Sequence, residues 1–322
     1  MFDNFVSFID RHKSFILTTH DSPDADGIGA EFVISMILEK AGKDVKIINA
    51  APVPEYLQFV INDDVNKIEK YDPEKHIPLI ETSAVLVIDT SDEFHLGSFR
   101  EALKKAKETF VIDHHELKPL STLSGLRDPT ASSTSELTIE LACFMGVELD
   151  EVCATAAYAG IVKDSGFFAY PKTTARTFKA AIKALEWGAN PNYVYKQLME
   201  NSSCASVLLQ KQALSSIEFY AGKTIAIMIL LWEDFEKTGT GFDDIENIVN
   251  IPLRAKEVEV SVLLKEKEHG EIFCSLRSKG RINVSKIAQD FGGGGHATAA
   301  GFRSYTGKEE IIKKLLSCVE TR

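Results

Sequence analysis

Apolar residues along the 322-residue chain fall into two kinds of run, and their order lays out an architecture. Phe2, Phe5, Val6 and Ile9 stand at helical spacing and lead into a short continuous run, Phe15-Ile16-Leu17. His20, Pro23, Asp24, Asp26 and two glycines follow, and Glu31 to Leu38 returns to helical spacing, so this stretch predicts strand, loop, helix. Gly42 stops that helix and Val45 to Ile48 begins a second strand, after which Pro52, Pro54, Pro73 and Pro78 break the chain into short pieces. Continuous runs recur at Ala84 to Ile88, closed by Asp89, and at Phe110 to Ile112, closed by Asp113-His114-His115. Runs of this kind separated by helices predict a parallel sheet covered on both faces. Ligands of such open sheets bind at the carboxyl ends of the strands.

Ser132-Ser133-Thr134-Ser135-Glu136 opens the next helix, with Ser133 and Glu136 in the pattern of a capping box. Further helices are expected through Gly146, from Asp150 to Lys163, from Thr174 to Trp187 and from Asn192 to Glu200. A helical pattern over 203–220 carries no chemistry and reads as a connector. Beyond it the character changes. Thr224 to Leu230, Val258 to Leu264 and Glu271 to Leu276 read as strands, the last two joined through Glu268-His269-Gly270 as a hairpin. A helix over Ile282 to Phe291, the run Gly292-Gly293-Gly294-Gly295-His296, a strand near Ala300-Gly301-Phe302 and an amphipathic helix from Glu309 to Cys318 complete the chain. The fold class expected is α/β: a parallel-sheet domain with helices on both faces over 1–200, a helical linker over 201–220, and a smaller mixed-sheet α/β domain over 221–322.

Composition narrows the partners. Lys and Arg number 36 against 47 Asp and Glu, a net charge of −11. That balance argues against non-specific binding of long nucleic acid, which needs a basic face to neutralise phosphates. It leaves room for a short anionic substrate held by metals and a few arginines. The five cysteines (Cys143, Cys153, Cys204, Cys274 and Cys318) are scattered and unpaired in pattern, as expected of reduced thiols in the cytoplasm. The first residues do not read as a signal peptide, and the longest apolar run, Ile225 to Trp232, is too short to cross a bilayer, so a soluble protein is expected. His12, His76, His95 and His269 stand among polar neighbours and read as surface residues, Arg254 as an exposed helical arginine, and Trp187 and Trp232 as packing groups.

Chemistry concentrates at the predicted strand ends. One Asp or His there could simply cap the following helix, but three such strands at one sheet edge are hard to explain as caps. Carboxylates as close as Asp24 and Asp26 repel unless something positive lies between them. Asp164 ends the helix from Asp150 and meets the negative pole of its dipole, a penalty of roughly 0.3–1 kcal/mol that a cation removes. That cation is Lys163 or a metal. Mixed carboxylates and imidazoles suit Mn²⁺ better than Mg²⁺. Asp24, Asp26, Asp89 and Asp164 with two ligating imidazoles suffice for two ions, which together can clamp the attacking and leaving oxygens of a phosphoryl transfer. No Lys-Ser/Thr follows the glycine run, so it is not a P-loop, and Gly27-Ile28-Gly29 is too short for a dinucleotide fingerprint. The run marks either a helix stop with a turn or backbone N–H groups offered to an anion, beside His296 and Arg277.

Here the residues resemble a known family. His20-Asp21-Ser22-Pro23-Asp24-Ala25-Asp26, the acid of Val87-Ile88-Asp89-Thr90, Asp113-His114-His115 and Lys163-Asp164-Ser165-Gly166 resemble, in order and spacing, the four motifs of DHH phosphoesterases. Leu276-Arg277-Ser278 and Gly292 to His296 resemble the DHH-associated domain of RecJ-like and NrnA-type oligoribonuclease/pAp-phosphatase members. The resemblance implies one metal held by His20, Asp24 and Asp89, and a second by Asp26, Asp89, His114 and Asp164, with Asp89 bridging. It also implies that Asp113 orients an imidazole and that His115 stabilises the phosphoryl group or protonates the leaving oxygen. Arg277, Ser278, Gly292, Gly293, Gly294, Gly295 and His296 would bind the substrate's nucleotide end, and Ser132 and Ser133 are carried as further candidate substrate contacts beside their reading as helix caps. Many relatives carry Lys after the glycine-histidine motif, where this chain has Ala297.

The function expected is a phosphoesterase using two divalent ions, Mn²⁺ ahead of Mg²⁺ or Co²⁺, to drive hydroxide attack on phosphorus. Its substrates would be very short single-stranded RNA or DNA, or 3′-phosphoadenosine 5′-phosphate, with no long duplex and no membrane as partner; a homodimer is compatible with this. Competing expectations are a pyrophosphatase or exopolyphosphatase, against which the glycine-histidine motif speaks, a linear or cyclic dinucleotide phosphodiesterase, and a nucleotide-binding scaffold without activity.

Overall fold

The computed structural model describes residues 2–61, 68–115, 124–242, 248–267 and 270–320. They form two compact units, Met1–Asn201 and Ser202–Arg322. The first unit runs α1 (Asp3–Asp10), β1 (Ser14–Thr18), α2 (Ala25–Lys40), β2 (Asp44–Asn49), α3 (Gln58–Ile61), β3 (Ile68–Lys70), α4 (Pro73–Ile80), β4 (Ala84–Ile88), α5 (Arg100–Leu103), β5 (Glu108–Asp113), β6 (Gly125–Arg127), α6 (Thr134–Phe144), α7 (Glu151–Asp164), α8 (Ala175–Glu186) and α9 (Pro191–Met199). Its six strands are all parallel, in the order β3-β2-β1-β4-β5-β6. The central strands are apolar throughout because both faces are covered. Phe15, Leu17, Leu86 and Ile112 belong to one core, while Ile16, Val85, Val87 and Val111 pack on the other face with Leu96, Phe99 and Leu103. Strand order reverses between β1 and β4, and that switch point is where an open sheet leaves a crevice at its carboxyl edge.

Helices α2 and α7 approach each other closely through glycine. A Cβ on Gly29 would lie 2.5 Å from the Ala156 carbonyl oxygen, and one on Gly160 would lie 2.2 Å from Ser135 Oγ and 2.9 Å from Asp26 Cα. This seam brings the start of α2, which carries Asp26, against the helix that ends in Asp164. Gly160→Val is therefore expected to cost about 1–3 kcal/mol through overpacking, read as a lowered urea midpoint at unchanged slope, and to displace Asp26.

The second unit runs α10 (Cys204–Ser215), β7 (Glu218–Tyr220), β8 (Ile225–Leu230), α11 (Trp232–Thr238), β9 (Val260–Glu266), β10 (Ile272–Ser278), α12 (Val284–Gln289), β11 (Gly294–Gly295), β12 (Ala299–Ser304) and α13 (Lys308–Glu320). Its sheet is mixed, in the order β11-β12-β10-β9-β8-β7, with only β8 and β9 parallel. Ile227, Val262, Leu276 and Phe302 pack with Val284 and Ile287 of α12 and Ile311 and Leu315 of α13. On the other face, Leu209 and Ala213 of α10 pack with Met228, Leu230, Phe235 and Leu263. The connector helix is thus built into this unit's core, and residues 218–220, expected as helix, pair with β8 as a strand. Glu268 and His269 of the expected hairpin turn lie outside the described residues, while β9 and β10 pair antiparallel on either side of it.

Two histidines depart from their expected surface position: His12 is half-buried against Phe8 and Phe15, and His76 departs further. His76 in α4 is buried, its Nδ1 accepts from the Asp72 N–H at 2.9 Å, and its Nε2 lies 3.1 Å from a Glu69 carboxylate oxygen. All five cysteines are free thiols. Among the described residues no helix is long and apolar enough to cross a membrane.

Candidate metal centre

The switch point gathers side chains from six places in the first unit. Asp24 caps α2, its Oδ1 accepting from the N–H groups of Asp26 at 3.0 Å and Gly27 at 3.1 Å. His20, at the end of β1, points Nε2 to within 3.8 Å of Asp24 Oδ1 and 3.7 Å of Asp89 Oδ2. Asp89 follows β4 in the left-handed backbone region, φ +64°, a strained conformation for a residue with a Cβ. On its other side, Asp89 Oδ1 lies 3.8 Å from His114 Nε2, which also lies 3.9 Å from Asp26 Oδ2 and 3.0 Å from Asp164 Oδ2. The chain turns sharply after Asp164, with Gly166, Phe167 and Phe168 all at positive φ. Three sets of ligand atoms result: His20, Asp24 and Asp89; Asp26, His114 and Asp164; and Asp89, His114 and His115.

This donor set fits divalent cations. Imidazole and carboxylate together are the ligands of borderline and hard divalent ions. His114 Nε2 is buried with Asp164 Oδ2 its nearest carboxylate oxygen at 3.0 Å, while its Nδ1 lies 3.3 Å from the Ala131 carbonyl oxygen. With Nδ1–H donating to that carbonyl, the Nε2 lone pair faces three carboxylates, an arrangement a cation stabilises and which a backbone partner of this kind fixes. Lys163, the alternative cation for Asp164, places its ammonium 5.6 Å over the Tyr56 ring.

The electrostatics of the protein alone point the same way. Burial pushes the Asp26 carboxyl well up, and the neighbouring Asp89 and Asp164 charges add to it. Burial likewise raises Asp164 against the opposing pull of His114. Burial disfavours the charged imidazoles, yet Asp24 and Asp89 push His20 up to about 11, and Asp164, Asp89 and Asp26 push His114 up to about 10. For Asp24 burial works against ionisation, but His20 and the α2 N–H groups outweigh it and hold the carboxyl down at about 2. Protons thus stand in for cations in a crowded anionic pocket.

A second network holds His115. Asp113 Oδ1 accepts from the His115 N–H at 3.1 Å and lies 2.8 Å from His115 Nδ1. Ser91 donates to the other Asp113 oxygen, and Arg127 Nε donates to Ser91 Oγ at 2.8 Å. Burial opposes charge on Asp113, but His115 and Ser91 hold it ionised, down at about 2. The His115 ring is lowered by burial and raised more strongly by Asp113 and Asp89, so its net shift is upward.

Several contributors are not legible as site residues in the sequence. Thr134 Oγ1 donates to Asp89 Oδ1 at 2.7 Å, and the N–H groups of Thr134 and Ser135 donate to the two oxygens of Asp26 at 2.7 Å each. The serine-rich opening of α6 therefore braces two of the acids through the N–H groups a helix start leaves free. Of the capping box only half forms: Ser133 Oγ accepts from the Glu136 N–H at 2.9 Å, whereas the Glu136 carboxylate takes the Ser132 hydroxyl at 2.6 Å. Ser132 and Ser133 are buried with their hydroxyls engaged in these bonds. Beneath His20, the buried Glu31 accepts from Asn49 Nδ2 at 2.9 Å, and Asn49 Oδ1 accepts from the Thr19 N–H at 3.1 Å. Burial pushes Glu31 up to about 8 despite the Asn49 bond.

In the second unit, His296 is exposed and Arg277 half-buried, its Nη1 donating to the Leu276 carbonyl at 3.0 Å. Ser278 is buried, its hydroxyl accepting from the Gly280 N–H at 2.8 Å. Part of the glycine run is engaged within the unit: Gly292 donates to Gln289 and Gly293 to Ala288, and His296 after it donates to Ala299. Two of the glycines also serve close approach. A Cβ on Gly293 would lie 2.2 Å from the Gly301 carbonyl oxygen, and one on Gly295 2.5 Å from that of Ala299.

Comparison with known proteins agrees with this division of the chain. Residues 14–161 match the model described as the DHH family N-terminal domain, and 222–321 match the DHHA1 domain. A protein named bifunctional oligoribonuclease and PAP phosphatase NrnA from Thermus thermophilus is 26% identical over 287 residues, 88% of this chain and 82% of its own length. One of the same name from Bacillus subtilis is 26% identical over 98% of this chain and 96% of its own length. Among solved structures, an exopolyphosphatase-related protein from Bacteroides fragilis superposes with a TM-score of 0.93 at 27% identity, covering 99% of this chain and 95% of that one.

Proposed function

The chain belongs to the DHH family of phosphoesterases, with a DHHA1 domain following the DHH domain, and on that premise we propose that it hydrolyses very short oligonucleotides and 3′-phosphoadenosine 5′-phosphate using two divalent ions, Mn²⁺ before Mg²⁺. The observation that carries this reading is Asp89, whose two oxygens face His20 on one side and His114 on the other. His20, Asp24 and Asp89 would hold one ion, and Asp26, Asp89, His114 and Asp164 the other. When bound, the ions would supply Lewis acidity at the phosphoryl oxygens and a lowered pKa for attacking water.

The protein's own groups do the rest. The Asp113–Ser91–Arg127 network fixes the His115 ring and its tautomer, so that Nδ1 carries a proton toward Asp113 and Nε2 is left for the substrate. Asp113 also favours the charged imidazole, which suits a group that stabilises phosphoryl oxygens and protonates the leaving oxygen. Arg277 and His296 grip a phosphate of the substrate. The two NrnA-named relatives support short substrates over long strands, as does the net charge of −11.

His115→Ala is expected to lower kcat by ~10²–10⁴ with little change in KM, because it removes a proton donor rather than a ligand. Steady-state rates on 3′-phosphoadenosine 5′-phosphate check this, and an unchanged kcat would remove His115 from the chemistry. The assignment as a whole is tested with Mn²⁺ and a panel of 5′-labelled RNA of about two to twenty-four nucleotides, 3′-phosphoadenosine 5′-phosphate, cyclic dinucleotides, pyrophosphate and polyphosphate, with His114→Ala as the blank. Preference for the longest strands, or for pyrophosphate or polyphosphate, would overturn it.

A further inference from the structure

On the face of the second unit's sheet away from α12 and α13, the described residues leave part of β10 and β12 open, with Phe242 and residues 248–251 packed beside them. Helices α10 and α11 pack over the β8 and β9 side, where Leu263 joins Met228 and Leu230. Over β10 and β12 lies a cavity of about 470 Å³, lined by Lys265, Phe273, Ser275, Gly293, Gly301 and Arg303 among others. Its construction follows from strand register. Residues alternate between faces, and antiparallel pairing sets Lys265, Phe273 and Arg303 in one cross-strand row, Leu263, Ser275 and Gly301 in the next, and Ser261, Arg277 and Ala299 in the third.

These nine positions hold three cations and no acid, in a chain whose net charge is −11. The row furthest from Arg277 is also aromatic. The Arg303 guanidinium carbon lies 4.7 Å over the Phe273 ring, Phe273 meets Phe242 edge to face at 4.8 Å, and the Lys265 ammonium lies 4.2 Å over Phe242. Between the two cationic rows the floor is Ser275 beside Gly301, low enough for a ligand to lie flat. Arg277 lies four positions beyond Phe273 along β10, roughly 13 Å at strand spacing, further than one phosphate can span.

We propose that this cavity is a second nucleotide subsite, taking the phosphate and base of a nucleotide beyond the one that Arg277 grips. Arg303 and Lys265 receive the phosphate, and the Phe273–Arg303 surface stacks the base, the pairing of cation and aromatic ring that single strands use. The proposal rests on the reading of short oligonucleotides as substrates and extends it to what distinguishes them: a substrate of several nucleotides fills both positions, whereas 3′-phosphoadenosine 5′-phosphate reaches only the first.

The test uses the full chain with Phe273→Ala, Arg303→Ala and Arg303→Lys. Each alanine variant is expected to raise KM for a five-nucleotide RNA about tenfold, the loss of one stacked or charge-paired contact. KM for 3′-phosphoadenosine 5′-phosphate should stay within about twofold, kcat should be retained on both, and Arg303→Lys should restore much of the binding. Equal effects on both substrates, or none on either, would overturn the subsite. Should the parent protein hydrolyse no nucleotide at all, the proposed function fails, and calorimetric titration of the same RNA in EDTA decides the subsite separately. Saturable binding weakened by Arg303→Ala upholds it, and no binding by the parent overturns it.

Discussion

Replacing Asp89 by alanine is expected to reduce hydrolysis below ~10⁻³ of the parent rate, more than ~4 kcal/mol of transition-state stabilisation. Among the described residues no other carboxylate lies within 4 Å of both His20 and His114, so its loss opens both candidate ion positions at once. Asp89→Asn is the cleaner variant. Asparagine tolerates the left-handed backbone that this position imposes and keeps the hydrogen-bonding shape while removing the charge. In the protein stripped of metal that charge also faces the imidazoles of His20 and His114, so Asp89→Asn should melt below the parent at pH 7 while keeping the fold. Near-normal turnover in either variant would undo the two-ion assignment.

The second large effect is that of chelation. EDTA should abolish turnover and lower the melting temperature, and re-addition of an ion at about a hundred times its Kd should restore ~2.7 kcal/mol. The pH dependence of the stripped protein has a definite sign. His20, held at about 11, and His114, at about 10, keep protons when folded that they lose near 6.5 when unfolded. Their contribution is complete below pH 6.5 and disappears as pH rises through those folded values. Asp26 and Asp164 are also raised, and the folded state again binds more protons than the unfolded one above the ordinary carboxylate range. Asp24 and Asp113, held at about 2, oppose this only in acid, where their stabilisation is lost as pH falls below 3.8. Stripped protein should therefore melt lower at pH 9 than at pH 7. Ion binding, which displaces these protons, should strengthen over the same range and release protons measurably by calorimetry in buffers of different ionisation enthalpy. A stripped protein that gains stability from pH 7 to pH 9 would contradict the account.

Much of this site is legible in the sequence because a buried parallel strand writes itself as an unbroken apolar run, and the residue that ends the run stands at the sheet edge. Phe15, Ala84 and Phe110 start such runs, and His20, Asp89 and His114 follow them. The supports are another matter. Ser91 and Arg127 act on His115 through Asp113 from different elements, and no local pattern joins them. The α6 opening reads as a helix cap, and the Ser133 half of that cap forms, yet nothing nearby in sequence reveals that its N–H groups also grip Asp26. Four consecutive glycines suggest an anion nest, but how many of their N–H groups are spare depends on how α12 ends, and here that ending uses those of Gly292 and Gly293. His76 reads as polar surface because its partners are the Asp72 N–H, four residues away, and Glu69 on β3, across a proline-broken stretch whose pairing only the folded sheet supplies.

The bonds from Thr134 and Ser135 to Asp26 close loops of 108 and 109 residues. Closing contacts of such long range costs chain entropy before it is rewarded. On the proposed reading, an ion held at Asp26 would strengthen that closure. Its addition is then expected to slow unfolding more than it speeds folding.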